Sequence, residues 1–547
     1  AGLFSLLRQN LQIEDVQLQK MKATIIIDST SNSFSKLMEK WNSAQLQHQD
    51  TTAGESSSFR LSVHGIDCSD CEIKMVNHFN FSTQTFAFPD LALDAKSIDL
   101  AENEFEFKSL KATRPYVFIE KYGTGPDIIA TEGIASGFTD SLVKKAAHIQ
   151  IDQVIFSDGH FKMEDRRYAR VGGGGIDYHY MDIKDIALDA DDLSITDLDF
   201  TGKLNQLAAR SDGGFMIREL SCPQVSVTSK RVDLPGFKLE TGKSTIKDTL
   251  RFYYQEYPDW LSFVDKVRMD FQIARSSLGL EDLIYFAPAL SNVSFFNDNK
   301  QETVDISGRV QGPVSHLNAD NLDLQIQNLF ALSGDVSSRN IQESERTLLN
   351  VKLERLQTQM ATIRKLFRGM QLPSEFDKLA TLNFTGRFDG YYQDFVAYGA
   401  LSSALGRAEM DMRLNATQGR DAAEYSGQLQ LIDFDLGRWV GQADLGKVSL
   451  SAEVKDGKGL RKENLDALID ANVSSLVFRG YQYRNAIMKG RLQRNRFDGD
   501  FSIADANIDL SFNGLVDFSD TIPDLVFNAR IERLSTLPLH LTKQDMD

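Results

Sequence analysis

A seven-residue pattern, apolar-x-apolar-x-Gly-x-apolar, constrains the fold of this chain more than any other feature. It reads "LDFTGKL" at 198–204, "VDISGRV" at 304–310, "FALSGDV" at 330–336, "LNFTGRF" at 382–388 and "LSFNGLV" at 510–516, with a looser copy, "AEYSGQL", at 423–429. A period of two is the signature of a strand with one apolar face. Each of the five full copies puts a glycine on that face: Gly202, Gly308, Gly334, Gly386 and Gly514. Glycine there weakens a strand but lets a sheet bend sharply, so these positions read as sheet-curving glycines.

The segment "NIDLSFNGLVDF" (507–518) tests the reading, because Asn-Gly between alternating flanks is also a hairpin signal. Ile508, Leu510, Phe512, Gly514, Val516 and Phe518 share one parity. A two-residue turn at Asn513-Gly514 would set Leu510 against Asp517, whereas one unbroken strand of ~40 Å keeps the apolar face intact. The expectation is a single strand.

Further alternating pairs predict short-turn hairpins: Ile98 and Leu100 with Phe105 and Phe107, and Val154 and Phe156 with Phe161 and Met163 after "SDG". Helical patterns are few, at 32–41, 136–148, 258–268 and 356–370, and divide the chain into strand blocks of about 1–130, 131–255, 256–370 and 371–547. The fold class is mainly β: an elongated, strongly curled antiparallel sheet of about 25 strands or more, read as one elongated array. A one-faced sheet must cover that face, by closing as a barrel, packing as a sandwich, or curling as a trough around something that is not protein; periodicity does not separate the three.

Composition narrows the partners. A net charge of −17 with no basic run disfavours nucleic acid or an anionic bilayer surface. No stretch reaches membrane-span length, and the chain opens at Ala1 without a leader pattern, so the expectation is a soluble chain or a piece trimmed from a longer one.

Local constellations read as structural. "CSDC" (68–71) lies between strand-like segments, which predicts a turn with incidental or disulfide-bonded Cys68 and Cys71 rather than a redox or zinc site. "RVGGGGIDYHYMDI" (170–183) lacks the helix that a phosphate loop requires and predicts a flexible connection followed by a strand through Ile176, Tyr178 and Tyr180. Asp177, His179 and Asp182 form a solvated polar edge. No catalytic residue, metal ligand or cofactor is expected, and an enzyme is not.

Three long phrases resemble the periplasmic part of the TamB family, within the AsmA-like group. They begin "YARVGGGGIDYHYMDIKDIALDADDLSITDLDFTGKL" (168), "YSGQLQLIDFDLGRWVGQADLGKVSLSAEVKDGKG" (425) and "ANVSSLVFRGYQYRNAIMKGRLQRNRFDGDF" (471). The resemblance implies a taco-shaped β-sheet in the periplasm of a Gram-negative bacterium, anchored in the inner membrane by a segment not in this chain. It also implies a BamA/TamA-type β-barrel partner in the outer membrane. Two roles follow from it: a bridge carrying phospholipid between the membranes and, alternatively, an assembly factor for outer-membrane proteins. An extracellular β-array adhesin or carbohydrate-binding protein is the rival from another class.

Periodicity and resemblance meet in one expectation. The apolar side of successive strands, with Leu100, Phe105, Phe107, Phe156, Phe161, Leu198, Phe200, Ile306, Leu332, Phe384, Leu510 and Phe512, lines a groove for phospholipid tails. A single sixteen-carbon tail in water costs on the order of 12 kcal/mol at about 0.8 kcal/mol per CH₂, which such a groove would remove along its length.

Overall fold

The computed structural model describes residues 10–28, 31–32, 60–99, 104–123, 148–170, 172, 175–196, 199–341, 346–366, 374–461, 463–519 and 522–542. Two compact units are present, Ala1–Asn292 with Phe296–Val314, and Val293–Phe295 with Ser315–Asp547. Both are built almost wholly from strands.

The first unit holds β1 (Asn10–Gln19), β2 (Lys22–Asp28), β3 (Ser31–Asn32), β4 (Arg60–Asn77), β5 (Ser82–Asp99), β6 (Glu104–Thr113), β7 (Tyr116–Lys121) and β8 (His148–Asp165). It continues through β9 (Tyr180–Thr196), β10 (Asp199–Ser211), β11 (Met216–Thr228), β12 (Arg231–Thr241), β13 (Thr245–Tyr253), β14 (Arg268–Gly279) and β15 (Thr303–Gly312). From β8 to β15 each strand pairs antiparallel with the next. Parallel pairs occur before that: β1 and β2 both run along β4, and β6 and β7 both run along β8. Parallel neighbours need a long crossover, and the two connections required are 33–59 and 124–147. The helices expected at 32–41 and 136–148 fall there, outside the described residues, except that Asn32 ends β3 and His148 opens β8.

A line of left-handed residues crosses these strands. Lys20 (φ 54°) lies beside Asp70 (φ 55°), Asp70 faces Pro89, Pro89 faces Arg114 (φ 54°), and Arg114 lies beside Asp158 (φ 54°). Backbone hydrogen bonds bracket the line, Lys20 N–H to Ser69 O and Glu72 N–H to Met21 O at 2.8 Å, and Arg114 N–H to Ser157 O at 2.7 Å. Asp and Asn tolerate the left-handed region better than other chiral residues, and one such residue resets which side the following side chains take.

This line corrects two sequence expectations. "SDG" (157–159) is not a hairpin turn; it lies inside the continuous strand β8, with Asp158 as the kink. Cys68 and Cys71 do not flank a turn between strands either, because both belong to β4. The strand expected through Ile176 and Tyr178 starts only at Tyr180: Asp177 Oδ1 takes the His179 N–H at 3.0 Å and forms a turn instead.

The second unit is a meander of β16 (His316–Ile326), β17 (Phe330–Arg339), β18 (Leu348–Gln359), β19 (Thr381–Tyr391), β20 (Asp394–Ser403), β21 (Gly406–Asn415) and β22 (Glu424–Asp435). It ends with β23 (Leu445–Lys458), β24 (Asp466–Phe478), β25 (Tyr481–Gln493), β26 (Arg496–Ala504), β27 (Ile508–Asp517) and β28 (Asp524–Leu534), each antiparallel to the next. Within 507–518, Ile508–Asp517 is one strand, β27, paired with β26 and β28 with no turn at Asn513-Gly514.

The described helices are short. The pattern at 258–268 yields a 3-10 turn over Tyr257–Ser262 and α1 (Phe263–Lys266), after which Arg268 already belongs to β14. A helix at Leu280–Phe286 (α2) was not anticipated. The pattern at 356–370 shrinks to α3 (Met360–Leu366), because Leu356 to Gln359 finish β18 against β19; 367–370 lie outside the described residues. α4 (Leu436–Val440) is capped at both ends, by Asp435 Oδ1 accepting the Arg438 N–H at 2.9 Å and by left-handed Gly441 (φ 78°).

Candidate functional site: an apolar sheet face

Side chains opposite one another across a ladder share a face, so the registers trace which apolar residues adjoin. In the second unit Leu332 faces Leu356, and Leu356 faces Phe384. The same rung continues through Leu401, Ala408, Leu431, Leu450, Val473, Ala486 and Ile503 to Leu510. A second rung runs from Gly386 and Gly399 through Met410, Leu429, Ala452, Ala471, Met488 and Phe501 to Phe512. A third, next to it, carries Phe388, Ala397, Met412, Gly427, Val454 and Ile469, then Gly490, Gly499 and Gly514. Leu332, Phe384, Leu510 and Phe512 therefore lie on one ladder-connected apolar face.

Part of that face is covered by protein. Met360, Leu379, Leu405, Phe434 and Val448 form a buried cluster, against which Leu401, Leu431, Leu450 and Val473 of the first rung pack together with Phe376 and Trp439. The Phe376 and Trp439 rings meet edge to face at 5.3 Å, and Lys378 Nζ donates to the Trp439 carbonyl at 2.7 Å. The second and third rungs lie outside this cluster. From β19 to β27 their large side chains, Met410, Met412, Leu429, Met488, Phe501 and Phe512 among them, are only half-buried. Of all the described phenylalanines, only Phe295 and Phe434 are buried.

In the first unit Phe105 faces Ile98 and lies beside Ile149, and the rung continues through Ile195 to Phe200 and Val227. Phe107 adjoins Ala95 and Ile151, Phe156 adjoins Ala112 and Leu188, and Phe161 adjoins Val117 and Ile183. Ile306 differs, for its rung partner is the buried Ser276. All these predicted residues are half-buried. Leu100 and Leu198 lie outside the described residues. Nearer β14, Phe252 is covered by Trp260 at 5.3 Å and Phe271 at 5.1 Å.

Four of the five motif glycines share a backbone state: φ is 136° at Gly308, 145° at Gly334, 155° at Gly386 and 144° at Gly514. At Gly386 a Cβ would sit 2.1 Å from the Tyr398 carbonyl oxygen of the neighbouring strand. Gly202 departs from the rest, with no such φ and a Cβ position 3.4 Å from the nearest atom, the Asp191 oxygen.

Charge is kept to the opposite face. The rung Asp411, Gln428, Glu453, Asp470, Lys489 and Asp500 alternates in parity with the apolar ones. Lys489 reaches Asp470 at 3.0 Å and Lys455 reaches Glu453 at 3.0 Å. A depression of about 780 Å³ opens on that polar face, lined by Thr385, Ala400, Glu409, Gln430, Ser451 and Asn472. At the ladder end Asp466 takes two hydrogen bonds from Arg491, at 2.7 and 2.8 Å, which hold its carboxyl below the usual range.

The other sequence candidates do not converge. His179 stacks on Tyr168 at 3.9 Å, while Asp182 accepts from or pairs with His160 Nε2 at 2.7 Å. Among the described residues no three His, Cys, Asp or Glu side chains are placed to hold a metal ion. Met410 and Met412 of the second and third rungs were missed, because their strand, "RAEMDMRLN" (407–415), alternates without the glycine motif.

The second unit defines a class: a β-meander with a ladder-connected apolar side that its own side chains only partly cover. Compared with known family models, characterised proteins and solved structures, the chain matches none.

Proposed function

We propose that the apolar face is a lipid-binding groove, and that the chain acts in the periplasm as a bridge-like carrier of phospholipid between two membranes, as its resemblance to the TamB family implies. One observation carries the reading: from β19 to β27 the large apolar side chains of two adjacent rungs remain only half-buried while the polar residues occupy the other side. A protein core would bury them, since each fully buried Leu, Met or Phe contributes roughly 1.5–3 kcal/mol. Acyl chains would supply the missing contact. Successive rungs of similar chemistry would let a tail move without a deep binding spot, and a curled sheet with the glycines on its inner face would leave room for it.

The test is mass spectrometry of lipids extracted from the purified chain beside a buffer blank. Phospholipid at near-stoichiometric amounts is the expected result, and a chain as lipid-free as the blank contradicts the reading.

A second reading rests on β28. Among the described residues it pairs only with β27, and all of its residues are exposed, Val526 at 63% and Ile531 at 55%. An exposed apolar edge accepts an added strand, which suits an assembly factor for outer-membrane proteins with a β-barrel partner.

A further inference from the structure

The two thiols of β4 occupy an unusual place. In a regular strand, residues three apart point to opposite faces, and their Cα atoms stand about 10 Å from each other, too far for a disulfide. Asp70, between Cys68 and Cys71, is left-handed. Both cysteines are buried, at 6% and 3% exposure. Cys71 Sγ lies 3.6 Å from the carbonyl oxygen of Leu18, the residue paired with Cys68 in the β1–β4 ladder. The Cys71 thiol is therefore turned back toward its neighbour. Burial, and then the hydrogen bond that the Cys68 thiol donates to Cys71, pushes the Cys68 thiol up to about 12.

We propose that Cys68 and Cys71 are a site of disulfide formation, a covalent staple across the kink line of the first unit. The bond forms by thiol–disulfide exchange with a small-molecule or protein disulfide during folding. One cysteine thiolate attacks the oxidant's disulfide and the other displaces the mixed disulfide, so the oxidant leaves as two thiols carrying the two electrons and two protons. Once β1 covers β4, the raised thiol is a poor nucleophile, so the redox state is set while the chain folds. Cys222 takes no part: its buried thiol donates to the Gln224 carbonyl at 3.0 Å on another strand. The proposal does not depend on what the apolar face binds.

The full chain is refolded in a glutathione/glutathione disulfide buffer, denatured, and alkylated before mass spectrometry and peptide mapping, with a parallel sample equilibrated in the same buffer under denaturant. One alkylated cysteine, Cys222, and a linked 68–71 peptide are expected after refolding, with an oxidised-to-reduced ratio at least about ten-fold above that in denaturant. Three alkylated cysteines, a bond to Cys222, or a ratio no higher than in denaturant would each overturn the proposal. Adding the same buffer to protein already folded and reduced should leave three free thiols over the time in which refolding protein is oxidised; equal rates would contradict formation during folding.

Discussion

The ring of Phe384 lies across Gly399: its Cζ is 3.0 Å from the point a Cβ on that glycine would occupy, and 2.9 Å from the corresponding point on the paired Gly386. An aromatic ring thus covers a cross-strand glycine pair whose backbones approach too closely for any other residue, with the Thr385 carbonyl oxygen 2.2 Å from the Gly399 Cβ position.

Gly399→Ala should therefore destabilise the second unit by roughly 2 kcal/mol or more, because left-handed strain adds to a backbone clash. Gly202→Ala, where φ is ordinary, should change stability by less than about 1 kcal/mol. Urea denaturation followed by circular dichroism separates the two. Equal losses would mean that the close approach at Gly399 does not set its identity.

The helical cover of the first rung is a conventional core. Leu405 is almost wholly buried there, so Leu405→Ala should cost about 3 kcal/mol, in the range of cavity-forming substitutions. Lipid carried on the half-buried second and third rungs should be retained by the protein that stays folded, measured by extraction and mass spectrometry at a temperature below the new transition.

Acid should act through paired carboxylates. Asp270 accepts two hydrogen bonds from Arg309, at 3.0 and 3.1 Å, and one from Gln311; the Arg309 bond is the main reason its carboxyl is held below the ordinary range. A folded-state value below the unfolded ~3.9 stabilises fully above that pH and is lost as pH falls through the folded value. Asp270→Asn should lower the thermal midpoint at pH 7, and the gap from the parent should close below about pH 4. A gap that stays constant to pH 2 would exclude the ion pair as its cause.

Legibility differed by level. Alternation at 382–388 and 510–516 revealed both the strands and their apolar side, because the period of two is the physical requirement for a one-faced sheet. The kinks were invisible: Asp70, Asp158 and Asp185 look like ordinary outward-facing acids, yet their backbones are left-handed, and the expected hairpin at Asp158 is a kink within the single strand β8. The helix at 356–370 was overestimated because Leu356 serves the ladder to Phe384, a tertiary demand that local periodicity does not carry. The half-buried Met410 and Met412 were hidden because β21 lacks the apolar-x-apolar-x-Gly motif, and only the register, as from Gly399 to Met410, brings them onto the same face.

The most direct test of the lipid groove compares Phe512 with its neighbour. Phe512 is half-buried, 4.8 Å from the Phe527 ring, while Ser511 is exposed on the polar side of the same strand. Phe512→Asp sets an unpaired carboxylate on the apolar face, at a cost of several kcal/mol for contact with an acyl chain; Ser511→Asp adds the same charge on the other side. Both variants are checked for folding by circular dichroism and scored by crosslinking to photoactivatable phospholipid. Strong loss of labelling for Phe512→Asp with near-parental labelling for Ser511→Asp is predicted. Equal labelling of the two folded variants would contradict a lipid face on this sheet.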